Sequence, residues 1–130
     1  MHTWHGQVRD YELDSQKVVN NANYLHYFEH ARHLMLAQAG INFIDWQKND
    51  FDLVLLETTI KYKRSLRAYD EFYITTQLKP FSKIKIYFEQ QLFLKTTDTL
   101  AADLHCIGAC IDRKRNKACM PGKIAEIIYV

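Results

Sequence analysis

The sequence predicts an α+β fold in which one long central helix is wrapped by a curved antiparallel sheet of about five strands. Apolar residues recur at helical spacing over residues 22–39, which is typical of a helix with one broad apolar face. Four later segments alternate apolar with polar residues, the pattern of half-buried strands. The segments between them are too short for helical crossovers, so neighbouring strands should run antiparallel.

The helix is the clearest element of the first half of the chain. A first strand is predicted over 3–9, and a polar segment leads from it to the helix. Asn20, Asn21 and Asn23 are candidate caps at the helix start, and Gly40 is a suitable stop. A loop through 42–50 should follow. The apolar face of the helix consists of Tyr24, Tyr27, Phe28, Ala31, Leu34 and Met35.

The second half of the chain is predicted to be mainly strand. Pro80 ends one of the alternating segments, because proline cannot donate to a sheet ladder. The 130 residues are enough to bury one core, so we expect a single domain over 1–130. Strands are predicted over 54–62, 72–80, 84–94 and 100–112, with a short last strand over 124–130.

Composition and charge exclude several classes of protein. The net charge is +2, without the concentrated basic stripe of a nucleic-acid binder. The longest aliphatic run, at 53–56, is too short to cross a bilayer. The first residues lack the basic and apolar regions of a signal peptide, so we expect a cytoplasmic protein with no membrane span.

The three cysteines, Cys106, Cys110 and Cys119, fit a reducing compartment better than a disulfide framework, because their number is odd. Cys106 and Cys110 lie four residues apart in a predicted strand. That spacing is about 13 Å, beyond the reach of a disulfide or a shared zinc ion. We therefore interpret both as small buried apolar side chains.

Asp10, Glu12 and Asp14 alternate just before the helix and would share one face of an extended segment. One interpretation is a solvated acidic approach to the helix, which also suits the helix dipole. The other is catalytic, because a carboxylate beside a helix start faces backbone N–H groups that can hold a developing oxyanion. Spacing alone favours the first interpretation.

Histidine and serine patterns give weaker signals. His26, His30 and His33 form one helical stripe whose spacing suits a metal, but the stripe falls opposite the apolar face and has no carboxylate or cysteine within it. We expect no metal site. Ser15 has no histidine at triad spacing, and no nucleophile elbow, phosphate loop or dinucleotide motif occurs.

Basic residues gather near 61–67, 83–85 and 113–117. They are either solvated strand ends and turns or clamps for the phosphates of a nucleotide-tailed substrate. Both interpretations stay open. The candidate substrate-binding residues are Tyr62, Lys63, Arg64, Ser82 and Lys83.

One longer motif runs from Val8 to Arg32. Asp14 is followed by three variable residues, the pair Val18-Val19 and then Asn23-Tyr24 at the helix start. This stretch resembles the N-terminal motif of hotdog-fold acyl-CoA thioesterases, nearest the 4-hydroxybenzoyl-CoA thioesterase-like family. Later pieces in the expected order are Ile60-Lys61-Tyr62, Tyr69-Asp70-Glu71, Phe88-Glu89-Gln90 and Ala109-Cys110-Ile111-Asp112.

The resemblance implies a homodimer or homotetramer with sites between subunits, an acyl-CoA substrate and no cofactor beyond the coenzyme A of that substrate. It makes Asp14 the catalytic carboxylate, as nucleophile or general base. Asn23 and Tyr24 would lend backbone N–H groups to the thioester oxygen, and Asn21 would orient the substrate or cap the helix. Arg or Lys side chains would hold the CoA phosphates.

Three positions depart from the family pattern. Asn21 stands where many relatives carry a histidine, Lys17 where a glycine is common, and Ser65 near the usual place of a proline. Asparagine donates a hydrogen bond but cannot relay a proton near neutral pH. Lys17 is expected to change the shape of its turn.

The function expected from these observations is acyl-CoA hydrolysis to free acid and CoA. The alternative is a binding protein for acyl-CoA or acyl carrier protein that has lost rapid catalysis, which the pair Asn20-Asn21 favours. A hotdog hydratase ranks last, because no histidine lies near Asp14 in the sequence.

Overall fold

The chain forms a curved antiparallel sheet around one long helix, which confirms the predicted fold class. The computed structural model describes residues 1–128, apart from the side chains of Phe43, Lys123, Ile127 and Ile128. In chain order the elements are β1 (His2–Gln7), a 3-10 turn (Asp10–Glu12), α1 (Asn21–Gln38), α2 (Phe43–Lys48), β2 (Phe51–Tyr62), β3 (Glu71–Pro80), β4 (Lys85–Leu94), β5 (Thr99–Asp112), β6 (Lys117–Cys119) and α3 (Gly122–Ile128).

The strand order is β1-β3-β4-β5-β2, and β6 pairs with β5. Every pairing is antiparallel, as the short connections predicted. Cys106 of β5 lies between Phe88 of β4 and Thr58 of β2 in the register. In the described part of the chain, β1 and β2 therefore form the two edges of the sheet, and β2 is the longer edge at 12 residues.

The core lies between α1 and the concave face of the sheet. Side chains alternate along each strand, so one face of β4 is buried while the other is partly exposed. Cys106 and Cys110 are buried free thiols, which confirms the interpretation of both as apolar side chains. The fully buried side chains that join helix and sheet include Phe28, Leu36, Phe72, Ile74, Phe88, Leu92 and Leu104.

The apolar face of α1 differs in part from the prediction. Tyr24, Tyr27, Phe28 and Ala31 are buried as expected, but Leu34 and Met35 are only partly buried. Leu36 and Arg32 take their place in the core. The face turns slightly along the helix, because the helical repeat of 3.6 residues does not follow a fixed spacing of three or four.

Two predicted elements are wrong. The predicted loop 42–50 contains α2, which Asn42 caps by accepting from the N–H of Ile44 at 2.8 Å. The predicted last strand is a helix, α3; its Tyr129 and Val130 lie outside the described residues. Ile124 is fully buried, and Ile127 and Ile128 follow it at helical spacing.

None of the helices in the described residues combines the length and the apolar composition that a membrane span requires.

Candidate active site

Asp14 closes a tight turn that runs from Asp14 to Val18. The N–H of Asp14 donates to the carbonyl of Val18 at 2.8 Å, and the N–H of Lys17 donates to the carbonyl of Asp14 at 3.0 Å. The carboxylate oxygen Oδ1 accepts from the N–H of Gln16 at 2.8 Å and of Val18 at 3.4 Å. The second oxygen, Oδ2, has no hydrogen-bond partner within residues 1–128. The turn thus holds one oxygen and leaves the other available.

Lys17, which stands where glycine is common in the family, lies within this turn. Its φ is 62°, in the left-handed region that glycine adopts without strain. The backbone therefore takes the glycine-like conformation, and the lysine side chain is exposed. A lysine in place of the usual glycine therefore adds backbone strain at this position.

Asp10, Glu12 and Asp14 do not share a face, because Asp10–Glu12 form a 3-10 turn and not an extended segment. Glu12 is buried, and its Oε1 accepts from the N–H of Arg9 at 2.7 Å. Its carbonyl accepts from the N–H of Asn20 and from Nδ2 of Asn23. Glu12 thus joins the approach segment to the helix start.

The start of α1 leaves one backbone donor free. The first four N–H groups of a helix have no partner within the helix. Here Asn20 donates to the carbonyl of Glu12 at 3.0 Å, Ala22 to Oδ1 of Asn20 at 2.9 Å, and Asn23 to the carbonyl of Asn20 at 2.9 Å. Within the described chain, the N–H of Asn21 is the member of this set without a partner.

This geometry bears on the predicted oxyanion donors, Asn23 and Tyr24. The N–H of Asn23 is engaged by the carbonyl of Asn20. The N–H of Asn21, unlike that of Asn23, is available to a substrate. The side chains of Asn20 and Asn23 instead hold the helix start in place.

A cleft of about 220 Å³ lies at the helix start. Three predicted binding residues, Tyr62, Lys63 and Arg64, line it together with Asn21 and Tyr24. The Tyr62 hydroxyl donates to the carbonyl of Asn21 at 3.4 Å. Asp14 does not line the cleft, but its Oδ1 is bonded to the N–H of Val18, a residue that does.

The other two predicted binding residues, Ser82 and Lys83, lie elsewhere. They occupy the turn between β3 and β4, where Oγ of Ser82 accepts from the N–H of Lys85 at 3.1 Å. On β5, Ala102 pairs with Tyr62 at the end of β2, and Ala109 pairs with Lys85 at the start of β4. Seven strand residues separate these two positions, about 23 Å. One protomer therefore does not bring the two groups together.

Two further clefts lie between α1 and the edge strand β2, and together they form a groove. A second cleft, about 360 Å³, is lined by Leu25, Glu29 and Arg32 of α1 and by residues of β2 and β5. A third, about 620 Å³, shares Glu29, Arg32 and Leu55 with it and reaches Leu36 and Phe51. Five residues of α1 that line these clefts lie within about 80° of one another around the axis, and Tyr24 and His33 line the clefts from either side of this stripe: the five are Asn21, Leu25, Glu29, Arg32 and Leu36.

Arg32 is the groove residue that the sequence did not single out. Its side chain is 7% exposed, and its NH1 group donates to Oε1 of Gln90 at 2.9 Å. Gln90 is fully buried and donates to the carbonyl of Phe28 and to Oγ1 of Thr76, each at 3.0 Å. Burial lowers the pKa of Arg32, and the neighbouring Cys106 and Glu29 oppose that shift. The sequence signal that could have identified Arg32 is its position as a charged residue within the apolar stripe of the predicted helix.

The histidine stripe of α1 is exposed, on the side opposite the core. His33 lies 3.8 Å from Glu29, and burial lowers the pKa of His33. Residues 1–128 contain no group of three side chains placed to hold a metal ion. His105, for which the sequence showed no partner, lies between the Tyr87 hydroxyl and Asp103, with Nε2 3.1 Å from Oδ2 of Asp103.

Comparison with solved structures places this architecture among thioesterase folds. The 1,4-dihydroxy-2-naphthoyl-CoA thioesterase of Synechocystis superposes with a TM-score of 0.91 over 98% of this chain and 94% of its own. The two sequences are 19% identical, so the likeness concerns the fold alone. The curved sheet around a central helix is accordingly the hotdog fold.

Sequence relatives extend the comparison. The chain is 41% identical over 87 residues, 67% of its length, to the chloroplastic acyl-acyl carrier protein thioesterase ATL2 of Arabidopsis thaliana, and spans only 46% of that protein. It is 31% identical to the long-chain acyl-CoA thioesterase FadM of Escherichia coli, over 92% of this chain and 91% of that one. The sequence pattern of the thioesterase-like superfamily matches residues 8–128. This chain belongs to the thioesterase-like superfamily.

Proposed function

We propose that this protein hydrolyses acyl thioesters, with Asp14 as the catalytic carboxylate and the N–H of Asn21 as the oxyanion donor. The observation that carries the proposal is the pair of unengaged groups at the start of α1: Oδ2 of Asp14 and the N–H of Asn21. An acyl-transfer centre needs an activated oxygen on one side of the carbonyl and a hydrogen-bond donor on the other.

The chemistry follows two routes that use the same groups. Asp14 either attacks the thioester carbon and expels the thiolate, leaving a mixed anhydride that water cleaves, or it removes a proton from the attacking water. In both routes the carbonyl oxygen gains negative charge, which the N–H of Asn21 stabilises at the positive end of the helix dipole. A thiolate leaves readily, so a histidine at position 21 is dispensable.

The carrier of the acyl group is coenzyme A or acyl carrier protein, since the relatives named above act on one or the other. Lys63 and Arg64 are exposed beside the helix start, where both can meet a phosphate of either carrier. The acyl chain then runs along the groove between α1 and β2. Ser82 and Lys83 can reach a carrier only across a subunit boundary.

The assembly that fits the edge strand is a homodimer joined through β2. Leu55 and Leu56 on this strand are 45% and 52% exposed, and on the described chain no strand pairs with its outer edge. Antiparallel pairing with β2 of a second copy would satisfy the edge backbone groups. The cytoplasmic location and the absence of a cofactor stay predictions.

The test compares Asp14→Asn with wild type. Asparagine keeps an oxygen that can accept from the N–H groups of Gln16 and Val18, so the turn should survive. Turnover of an acyl-CoA panel, followed as thiol release, should fall by roughly 10²–10⁴-fold. Asp10→Asn is the matched control, because Asp10 is exposed in the preceding 3-10 turn. Equal rates for Asp14→Asn and wild type would sink the proposal.

A second candidate function is acyl-thioester binding without hydrolysis. It is favoured by the side chains of Asn20 and Asn21, neither of which relays a proton near neutral pH. Tight binding of acyl-CoA by the wild type with no thiol release would select this function.

A further inference from the structure

Arg32 is a buried cation without an anionic partner. Within residues 1–128, no carboxylate lies within ion-pair distance of its guanidinium. It makes one side-chain hydrogen bond, to Gln90, and its guanidinium carbon lies 5.9 Å from the centre of the Phe88 ring. Guanidinium has five N–H donors and stays protonated in proteins. Burial of such a group is costly unless further acceptors satisfy it.

Gln90 cannot supply those acceptors, because all its polar atoms are engaged. Its amide nitrogen donates to Phe28 and Thr76, which fixes its oxygen toward Arg32. The remaining donors of Arg32 belong to a side chain that lines both the second and the third cleft of the groove. The natural place for a further acceptor is therefore inside the groove.

Apolar and polar side chains both line the groove around Arg32. Phe88, Leu36, Leu55 and Leu104 supply hydrocarbon walls, and the polar residues besides Arg32 are Glu29, His33, Gln47, Asp52 and Thr58. Of these polar residues, Glu29 is the one that lines both clefts. It lies three residues before Arg32, one helical step away, and its carboxylate is 3.8 Å from Nε2 of His33. One positive and one negative side chain thus line both clefts of the groove.

This combination selects for a particular acyl chain. We propose that the groove binds acyl chains that carry a hydroxyl group, which accepts from Arg32 and donates to Glu29. A plain alkyl chain would displace water from the donors of Arg32 without replacing its hydrogen bonds. A chain ending in a carboxylate would pair with Arg32 but would place its charge beside the like charge of Glu29. The inference rests on the proposed function for the position of the thioester at Asn21.

The distance along α1 sets where the hydroxyl lies. Arg32 follows Asn21 by eleven residues, which corresponds to roughly 16 Å along a helix axis. The hydroxyl is therefore far from the thioester, near the distal end of a long chain. Short hydroxylated chains should gain nothing from Arg32.

The test measures binding to non-hydrolysable coenzyme A thioethers by titration calorimetry. The ligands form a length series around myristoyl, each as the plain alkyl, the ω-hydroxy and the ω-carboxy derivative. Wild type should bind the best ω-hydroxy thioether about tenfold more tightly than its alkyl counterpart, the usual effect of one hydrogen bond to a charged group. The ω-carboxy derivative should bind more weakly than the ω-hydroxy one.

Variants assign this preference to residues. Arg32→Leu should bring the hydroxyl-to-alkyl ratio close to one, and Glu29→Gln should strengthen binding of the ω-carboxy thioether. Arg115→Leu is the matched control, since Arg115 is exposed in the turn before β6; it should keep the wild-type ratio. If Arg32→Leu fails to fold, Arg32→Lys takes its place. Lysine keeps the charge without the planar fork of donors, so its hydroxyl-to-alkyl ratio should fall below that of the wild type, and an unchanged ratio would contradict the inference.

The outcomes separate this inference from the proposed function. Hydrolysis of plain acyl-CoA without any preference for hydroxylated thioethers would overturn the inference and leave the function standing. The predicted binding ratio, found in a protein that releases no thiol from acyl-CoA, would support the inference and overturn the proposed hydrolysis. Equal affinity of wild type for alkyl and hydroxyl chains, a ratio unchanged by Arg32→Leu, or no binding of any thioether would each overturn the inference.

Discussion

Gln90 links three parts of the core, so its replacement by leucine should strongly destabilise the protein. The fully buried amide accepts from Arg32 at 2.9 Å and donates to the carbonyl of Phe28 and to Oγ1 of Thr76 at 3.0 Å. Leucine has a similar size but no polar atom. The helix and β3 would each lose a hydrogen-bond partner inside the core.

The size of the effect can be worked out from these three bonds. A hydrogen bond to a charged group contributes about 1.5–3 kcal/mol and a neutral one about 0.5–1.5 kcal/mol. Burial of leucine carbon recovers part of the loss. We expect Gln90→Leu to lower the free energy of unfolding by about 3–5 kcal/mol, a large fraction of a typical total of about 5–15 kcal/mol.

Urea unfolding followed by circular dichroism measures this free energy. Gln91→Leu is the control, because Gln91 neighbours Gln90 on β4 but faces the other side of the sheet and is partly exposed. It should change stability by no more than about 0.5 kcal/mol. A loss below about 1 kcal/mol for Gln90→Leu would show that the network does not hold α1 to the sheet, and would refute the reasoning.

Three further predictions concern the turn, an ion pair and the thiols. Lys17→Gly should raise the free energy of unfolding by about 0.5 kcal/mol, because it removes a side chain from a left-handed φ of 62°, whereas Lys17→Ala should bring no gain. Lys79 lies 2.6 Å from Glu89 and holds the pKa of that carboxyl below its usual value of 4.5. Lys79→Met should therefore cost about 0.5 kcal/mol at pH 7, and this difference should vanish as the pH falls through the lowered pKa. Burial raises the pKa of the Cys110 thiol to about 12, so iodoacetamide at pH 8 should modify Cys119 in the native protein and Cys110 only after unfolding in urea, as mass spectrometry would show.

Much of the fold was predictable because the strong signals are periodic. The apolar repeat placed the helix at 22–39, one residue from its observed bounds, Asn21–Gln38. Alternation placed β2 to β5 within a few residues. The errors at α2 and α3 concern short apolar segments, for which helix and strand patterns are hard to distinguish.

Of the candidate active site, the sequence predicted only the part that lies near the Asp14 motif. Asp14 and the start of α1 are neighbours in the sequence, and the turn joins them directly. Which N–H is free depends on where the Asn20 side chain and carbonyl point, and a sequence does not show this. The separation of Lys83 from Lys63 could have been foreseen, because successive connections in an antiparallel sheet lie at opposite ends.

The open edge of β2 also bears on how the protein behaves during folding. β2 is a 12-residue edge strand without proline, and in the described chain its outer side is unpaired. Such an edge, here carrying two exposed leucines, is a template for aggregation. Glu57 and Lys61 are exposed charged residues on the same strand, and charges of this kind disfavour pairing with unrelated chains. In the proposed homodimer, a newly folded monomer would be the species most prone to aggregate, and its yield would depend on how soon it pairs with a second copy.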